Sequence, residues 1–228
     1  MKGLLKILLL CAPMFACLPT FSDEHDWQLS RDEDNIRSYK SKQQGQKLVA
    51  FKSDSIIDAP IAKVLSVLLD SDTATQWIPR LQQSIISDAE KWPLAYTQFT
   101  RINAPWPVRD RVFLSTVNVE VDPESHLTTI TYTAKADAVA LKKTVLGSVD
   151  GSVYQLSEVD NGRKTRLLAI SIANPNGMLP KWLVNWVSAT IPHDTVVLLR
   201  QYLANHSVSI DPKIARLYAQ AVEQTAAK

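Results

Sequence analysis

Cysteine is nearly absent from this chain, and so is any excess of charge of one sign. Two cysteines occur in 228 residues, Cys11 and Cys17. No disulfide and no thiol nucleophile is therefore available beyond that point. Six glycines and 12 prolines are too few for a collagenous or low-complexity sequence. The balance of 25 Lys+Arg against 23 Asp+Glu, a net charge of +2, excludes a strongly basic nucleic-acid binder. A hydrophobic content of 46% excludes a disordered polar chain. No apolar run reaches the roughly 18 residues that suggest a membrane-spanning helix. What remains is a globular chain long enough to enclose a core or to line an internal cavity.

The first 22 residues read as a leader. Lys2 and Lys6 precede or interrupt an apolar run, Ile7 to Leu18, which ends at Pro19 before the polar stretch Asp23-Glu24-His25-Asp26. A basic start and an apolar core too short to span a bilayer describe a secretory signal peptide, with cleavage expected after Ser22. The alternative is a lipoprotein signal acylated at Cys17, a pattern that Met14 and Phe15 fit poorly. Cleavage after Ser22 would remove both cysteines, Lys2 and Lys6, leaving 23 basic residues against 23 acidic ones. The expected product is a neutral, periplasmic or secreted protein with no general electrostatic reason to bind nucleic acid or an anionic membrane.

Residues 23–206 read as one domain and residues 207–228 as a helical extension. Gln46–Ile57 is strand-like, with Val49, Phe51 and Ile57 on one face and Ser53 and Ser55 between them. Two short helices follow: Ile61, Val64, Leu65 and Leu68 recur at helical spacing behind Pro60, and Asp72 is placed to cap the second helix, which stops at Pro79. Strands are expected over Ser84–Asp88, Tyr96–Ile102, Val108–Val121, His126–Ala136, Ser152–Val159 and Thr165–Ala173, and their short connections imply antiparallel pairing. Leu179–Leu203 reads as a long helix, kinked at Pro192, with Leu179, Trp182, Leu183, Trp186, Val187, Thr190 and Ile191 in one stripe. Asp211 and Pro212 open a last helix. A curved antiparallel sheet closed against one long helix is an α+β architecture.

Catalytic signatures are missing. There is no G-x-S-x-G elbow, P-loop, G-x-G-x-x-G turn or H-E-x-x-H helix, and nothing demands a metal or other cofactor. The pair His193-Asp194 is open to a surface or capping role as well as to a dyad, and Asp32-Glu33-Asp34 reads as a solvated turn. More informative is a charge in the wrong place. If Val108–Val121 is a regular strand, Arg109 and Arg111 share a face with Phe113, Ser115, Val117 and Val119. A buried guanidinium must then find an acceptor in the fold, in water or in a ligand. If the strand starts later, both arginines belong to a loop after Pro107. Leu167, Ala169, Ser171 and Ala173 form a second unusual face, mostly of small residues. It leaves room either for a cavity or for Trp182 and Trp186 to pack.

Three stretches together resemble the START family of lipid-transfer domains: Trp77-Ile78-Pro79, Pro105-Trp106-Pro107-Val108-Arg109-Asp110-Arg111-Val112-Phe113, and Asn174-Pro175-Asn176-Gly177 leading into Met178-Leu179-Pro180-Lys181-Trp182-Leu183-Val184-Asn185-Trp186. The resemblance spans about Trp27–Leu203. It implies a helix-grip fold, with the sheet wrapped around the long helix and a tunnel for one lipid or sterol-like molecule. It places Arg111 in the tunnel, near Gln83 where sterol-binding members carry a glutamate. Phe113, Tyr132, Ala169, Ser171, Trp182 and Trp186 complete the expected lining. Val112, where members commonly have an acid, and the Asn174-Pro175-Asn176-Gly177 turn, where they have Asp-Pro-Gly-Gly, depart from the pattern.

The leading expectation is a non-enzymatic carrier of a hydrophobic ligand that contacts a membrane transiently. Two others stand beside it: an enzyme of the wider helix-grip superfamily using Arg111, Asp110 or Tyr132, and an envelope interaction module presenting Trp92 or the last helix.

Overall fold

The computed structural model describes residues 26–41 and 48–226; the proposed leader and its cleavage site lie outside them. Hairpin chemistry opens the fold. Strands β1 (Trp27–Glu33) and β2 (Ile36–Ser41) meet at Asp34 and Asn35, whose φ angles of 53° and 55° suit the tight turn of two twisted strands. This hairpin occupies the stretch expected to be a solvated turn, which is confined to its tip. Strand β3 (Val49–Ile57) follows, alternating as expected, with Ser53, Ser55 and Ile57 buried.

Helix α1 (Ile61–Leu68) begins after Pro60 and buries Ile61, Val64, Leu65 and Leu68, an i, i+3, i+4, i+7 face. Helix α2 (Ala74–Trp77) is one turn long. Asp72 does not cap it. The Asp70 carboxylate instead accepts from the Asp72 N–H and from the Thr73 hydroxyl, both at 2.9 Å, and so organises the turn from two residues earlier.

The remaining strands are β4 (Leu81–Lys91), β5 (Ala95–Ile102), β6 (Arg111–Val121), β7 (Thr128–Ala134), the short β8 (Val145–Leu146), β9 (Ser148–Val159) and β10 (Lys164–Asn174). Nine of the ten described strands form one curved antiparallel sheet in the order β1-β2-β3-β10-β9-β7-β6-β5-β4, and β8 adds a parallel pairing to β6. The chain thus crosses from β3 to the far edge through α1 and α2, then meanders back until β10 docks beside β3. Strand β6 begins at Arg111 rather than Val108, because residues 103–110 form a loop in which the Asp110 carboxylate accepts from the Ala104 N–H at 3.2 Å.

Across the concave face runs α3 (Lys181–Asn205), followed by α4 (Pro212–Ala226). The helix passes unbroken through Pro192, which supplies no backbone donor there. Its next residue, His193, is 3% exposed, not on the surface. The imidazole lies under the β1–β2 turn, 3.7 Å from an Asp34 oxygen and 3.5 Å from one of Asp194. Helix α4 starts with the Asp211 carboxylate accepting from the Lys213 N–H at 2.8 Å, as an N-cap should. It belongs to the core: Ile214 is fully buried and the Tyr218 hydroxyl bonds to Thr128 on β7. Burial pushes the Tyr218 pKa up to about 12.

One pairing at the central seam carries a pH dependence. Arg166 on β10 donates to both Asp54 oxygens on β3, at 2.9 and 2.8 Å, and Arg37 on β2 lies 3.6 Å away. The Arg166 bond, outweighing burial, holds the Asp54 carboxyl below its usual range. Its stabilisation is therefore present at neutral pH and fades as pH falls below about 4. We expect Asp54→Asn to cost about 0.5–1 kcal/mol at pH 7, since Arg166 is half exposed. The difference should vanish near pH 2, which urea titrations at the two pH values would measure.

Candidate ligand cavity

Between α3 and the concave face lies a cavity of about 340 Å³. Its walls follow from strand parity. Val49, Phe51 and Ser53 line it from β3, and Leu167, Ala169, Ser171 and Ala173 from β10. Ala169 faces Ser53 and Tyr154 across its two neighbouring strands. The small face of β10 therefore borders open space, and tryptophans do not fill it. Leu183, Val187, Ile191, Val196 and Leu199 close the cavity from α3, while Leu68 and Trp77 close it from the two short helices.

Polar groups are sparse and unevenly placed. Tyr132 and Tyr154 stack at a tilt, ring centroids 5.5 Å apart, and burial raises the pKa of both hydroxyls. They remain neutral donors. Ser53, Ser115, Ser152 and Thr195 add hydroxyls along the walls. Of these, the Ser152 oxygen accepts from the Ile172 N–H at 3.1 Å, and Thr195 donates to the Ile191 carbonyl at 2.7 Å.

Arg111 is a charged group in this wall and is 6% exposed. Its Nη1 donates to the Arg109 carbonyl at 2.5 Å, its Nε to the Pro175 carbonyl at 3.3 Å and its Nη2 to the Asn176 carbonyl at 3.3 Å. The last two acceptors belong to the turn that feeds α3, where Asn176 and Gly177 have φ of 49° and 66°. That left-handed turn aims successive carbonyls at the guanidinium. Burial, with Arg109 as a like charge beside it, lowers the Arg111 pKa, yet guanidinium remains protonated. Asp110, adjacent in sequence, points away. Its carboxylate accepts from Arg101 Nη2 at 2.6 Å and Nε at 2.9 Å, the principal contacts that hold its pKa down against the opposing effect of burial.

Of the residues expected to line the tunnel, Arg111, Phe113, Tyr132, Ala169, Ser171 and Trp186 do so. Gln83 does not. A bulge between Leu81 and Gln83 in β4 leaves its side chain exposed, outside the lining. Trp182 also lies off the cavity, 56% exposed on the first turn of α3, with Leu183 turned inward in its place. Arg109 sits in the loop before β6 and is exposed. Sequence reasoning missed Arg80, which lines the mouth with its guanidinium 5.6 Å from the Trp186 ring centroid and its Nε donating to the Asn103 carbonyl at 2.7 Å. Ser53 and Ser115 carried a readable signal, since they share faces with Phe51 and Phe113. His193 is outside the lining, and the described residues contain no cluster of three groups suited to a metal ion.

The model of the START domain matches residues 18–207. The chain belongs to the START-domain family. It is 25% identical to an uncharacterized protein of Pseudomonas aeruginosa over 205 residues, 88% of this chain and 97% of that one. Phosphatidylcholine transfer protein of Mus musculus is 22% identical over 167 residues, covering 72% of this chain and 77% of its own length. Among solved structures, a STAR-related lipid transfer protein fragment from Xanthomonas axonopodis superposes with a TM-score of 0.66 at 25% identity, over 78% of this chain and 98% of that fragment. Human StAR-related lipid transfer protein 5 shares the fold with a TM-score of 0.68 at 13% identity, over 81% and 89% of the two chains. START-domain membership supports lipid binding as the family-level activity. It also fits the helix-grip arrangement, a curved antiparallel sheet with a long helix laid into it. Helix α4 follows the matched residues.

Proposed function

We propose that this protein is a non-enzymatic carrier that holds one lipid or other hydrophobic molecule between α3 and the sheet. The observation that carries this reading is the cavity left by the small face of β10, with a buried arginine at one end and apolar walls elsewhere. Apolar walls supply affinity at roughly 25 cal/mol per Å² of surface removed from water, and the few polar groups set orientation. Its START-domain relatives include proteins named for lipid transfer, which favours carriage over chemistry.

Exchange requires the first half of α3 and its preceding turn to move, between the positive-φ Gly177 and the donor-less Pro192. Exposed apolar side chains cluster in the segments that would meet a bilayer during that exchange: Trp106 at 91%, Met178 at 97% and Trp182 on the first turn of α3. A transient membrane contact through them fits a carrier better than permanent insertion, since no described helix is long and apolar enough to cross a membrane. The leader composition supports export, with action in the periplasm or outside the cell.

Native mass spectrometry of the protein, recovered from its own compartment, together with organic extraction tests the reading. A bound lipid mass, or uptake of a lipid or sterol probe, is the expected result. A chain that is empty and takes up neither probe would overturn it. The same spectra should show loss of residues 1–22.

A further inference from the structure

The charge of the cavity lining is out of balance. The full chain is close to neutral, yet Arg80 and Arg111 line the cavity and, among the described residues, no aspartate or glutamate does so. Neither guanidinium is paired with a carboxylate among the described residues: Arg80 and Arg111 make their bonds to backbone carbonyls. Asp110 is the acid close enough to act on both, and its oxygens are engaged by Arg101 and the Ala104 N–H. Carbonyl dipoles satisfy donors but cancel no charge, so a buried cation without a counter-ion remains costly.

Donor counting sharpens this. A guanidinium has five N–H groups in a planar fork. Arg111 commits its Nε–H and one N–H on each terminal nitrogen, which leaves one N–H on each terminal nitrogen free. Two remaining donors are enough for two oxygens of one anion. The cavity size adds a limit. About 340 Å³ lies at the low end of the roughly 300–1,000 Å³ usual for small-molecule sites, too little for two long acyl chains with a headgroup.

We infer that the cavity takes an anionic amphiphile with a single apolar tail, its carboxylate or phosphate monoester held at Arg111 and Arg80 and its tail along Phe113, Ala169, Val187 and Ile191. The bound anion supplies the counter-ion that the fold omits. The inference rests on the reading of this cavity as a ligand site and adds the charge and chain number of the occupant.

Calorimetric titration of the delipidated full-length protein with hexadecanoate, hexadecyl phosphate and hexadecanol, plus phosphatidylcholine in vesicles, tests it. Both reading and inference predict that the single-chain anions bind, and the inference adds that at least one binds about 10- to 100-fold tighter than the alcohol, as a charge-assisted hydrogen bond provides. Which anion binds tighter distinguishes a fatty acid from a phosphate ester. Equal affinity for hexadecanol, or tighter binding of phosphatidylcholine, would overturn the inference and leave lipid carriage standing. No binding of any probe would overturn both. Arg111→Gln should erase the preference for the anions, and Arg111→Lys should keep part of it. Because Arg111 also ties down the turn before α3, Arg80→Gln provides a second variant, expected to weaken anion binding several-fold and hexadecanol binding by less, so that the ratio of the two falls.

Discussion

Ala169→Trp is expected to abolish lipid uptake while the protein stays folded. Ala169 lies at the centre of β10, between Ser53 and Tyr154, with its side chain facing the cavity. An indole there extends into open space, so the usual penalty of overpacking, about 1–3 kcal/mol, should be only partly incurred. It occupies the volume that the tail needs. The expected result is at least a 10-fold loss of affinity for a hydrophobic probe, with an unfolding midpoint within a few degrees of wild type. Unchanged affinity with the fold intact would show that the ligand sits elsewhere.

Trp77→Ala should have the largest effect on stability. Trp77 closes α2, is almost fully buried and touches both the core and the cavity floor. Truncating a buried tryptophan typically costs about 3–5 kcal/mol through lost burial and an incompletely collapsed void. One feature offsets part of that cost: the indole Nε1 has no hydrogen-bond partner among the described residues, so its removal also removes an unsatisfied buried donor. Trp77→Phe, which keeps most of the ring and deletes that donor, should therefore cost much less than the alanine variant. Urea denaturation of the three proteins measures the order, and a Trp77→Ala cost below about 1 kcal/mol would show that α2 does not support the core.

The sheet was largely legible because strand parity is a strict period of two. Arg111, Phe113 and Ser115 share a face in the sequence and line the cavity together, as do Leu167, Ala169 and Ser171. Legibility failed where parity is interrupted. The family resemblance at Trp77-Ile78-Pro79 implies Gln83 near the arginine, but the bulge after Leu81 turns it outward, and a bulge leaves no mark in composition. Trp182 failed for another reason. Helical spacing assigns both Trp182 and Leu183 to the apolar stripe, whereas spacing does not say which edge of a broad stripe meets the sheet; Leu183 turns inward and Trp182, one position earlier, faces outward. The β1–β2 hairpin was missed because it is an edge rich in charged residues, whose alternation is weak. Arg80 could not be read as a lining group. It has a positive φ of 64° between α2 and β4, a conformation that no pattern in its neighbours announces.

The pairing of β3 with β10 has a consequence for how the molecule assembles. Ser55 and Leu167, hydrogen-bonded across that seam, are 112 residues apart in the chain. During synthesis the first three strands are complete long before their partner exists, and one side of β3 has no neighbour until β10 emerges. Closing so long a loop carries an entropic cost before any contact repays it, which is the signature of slow folding topologies. The charged Lys52 and Asp54 on that waiting strand discourage another chain from pairing with it in the interval. The cavity, whose sheet wall runs through the adjacent β3, β10 and β9, is therefore among the last parts of the molecule to form.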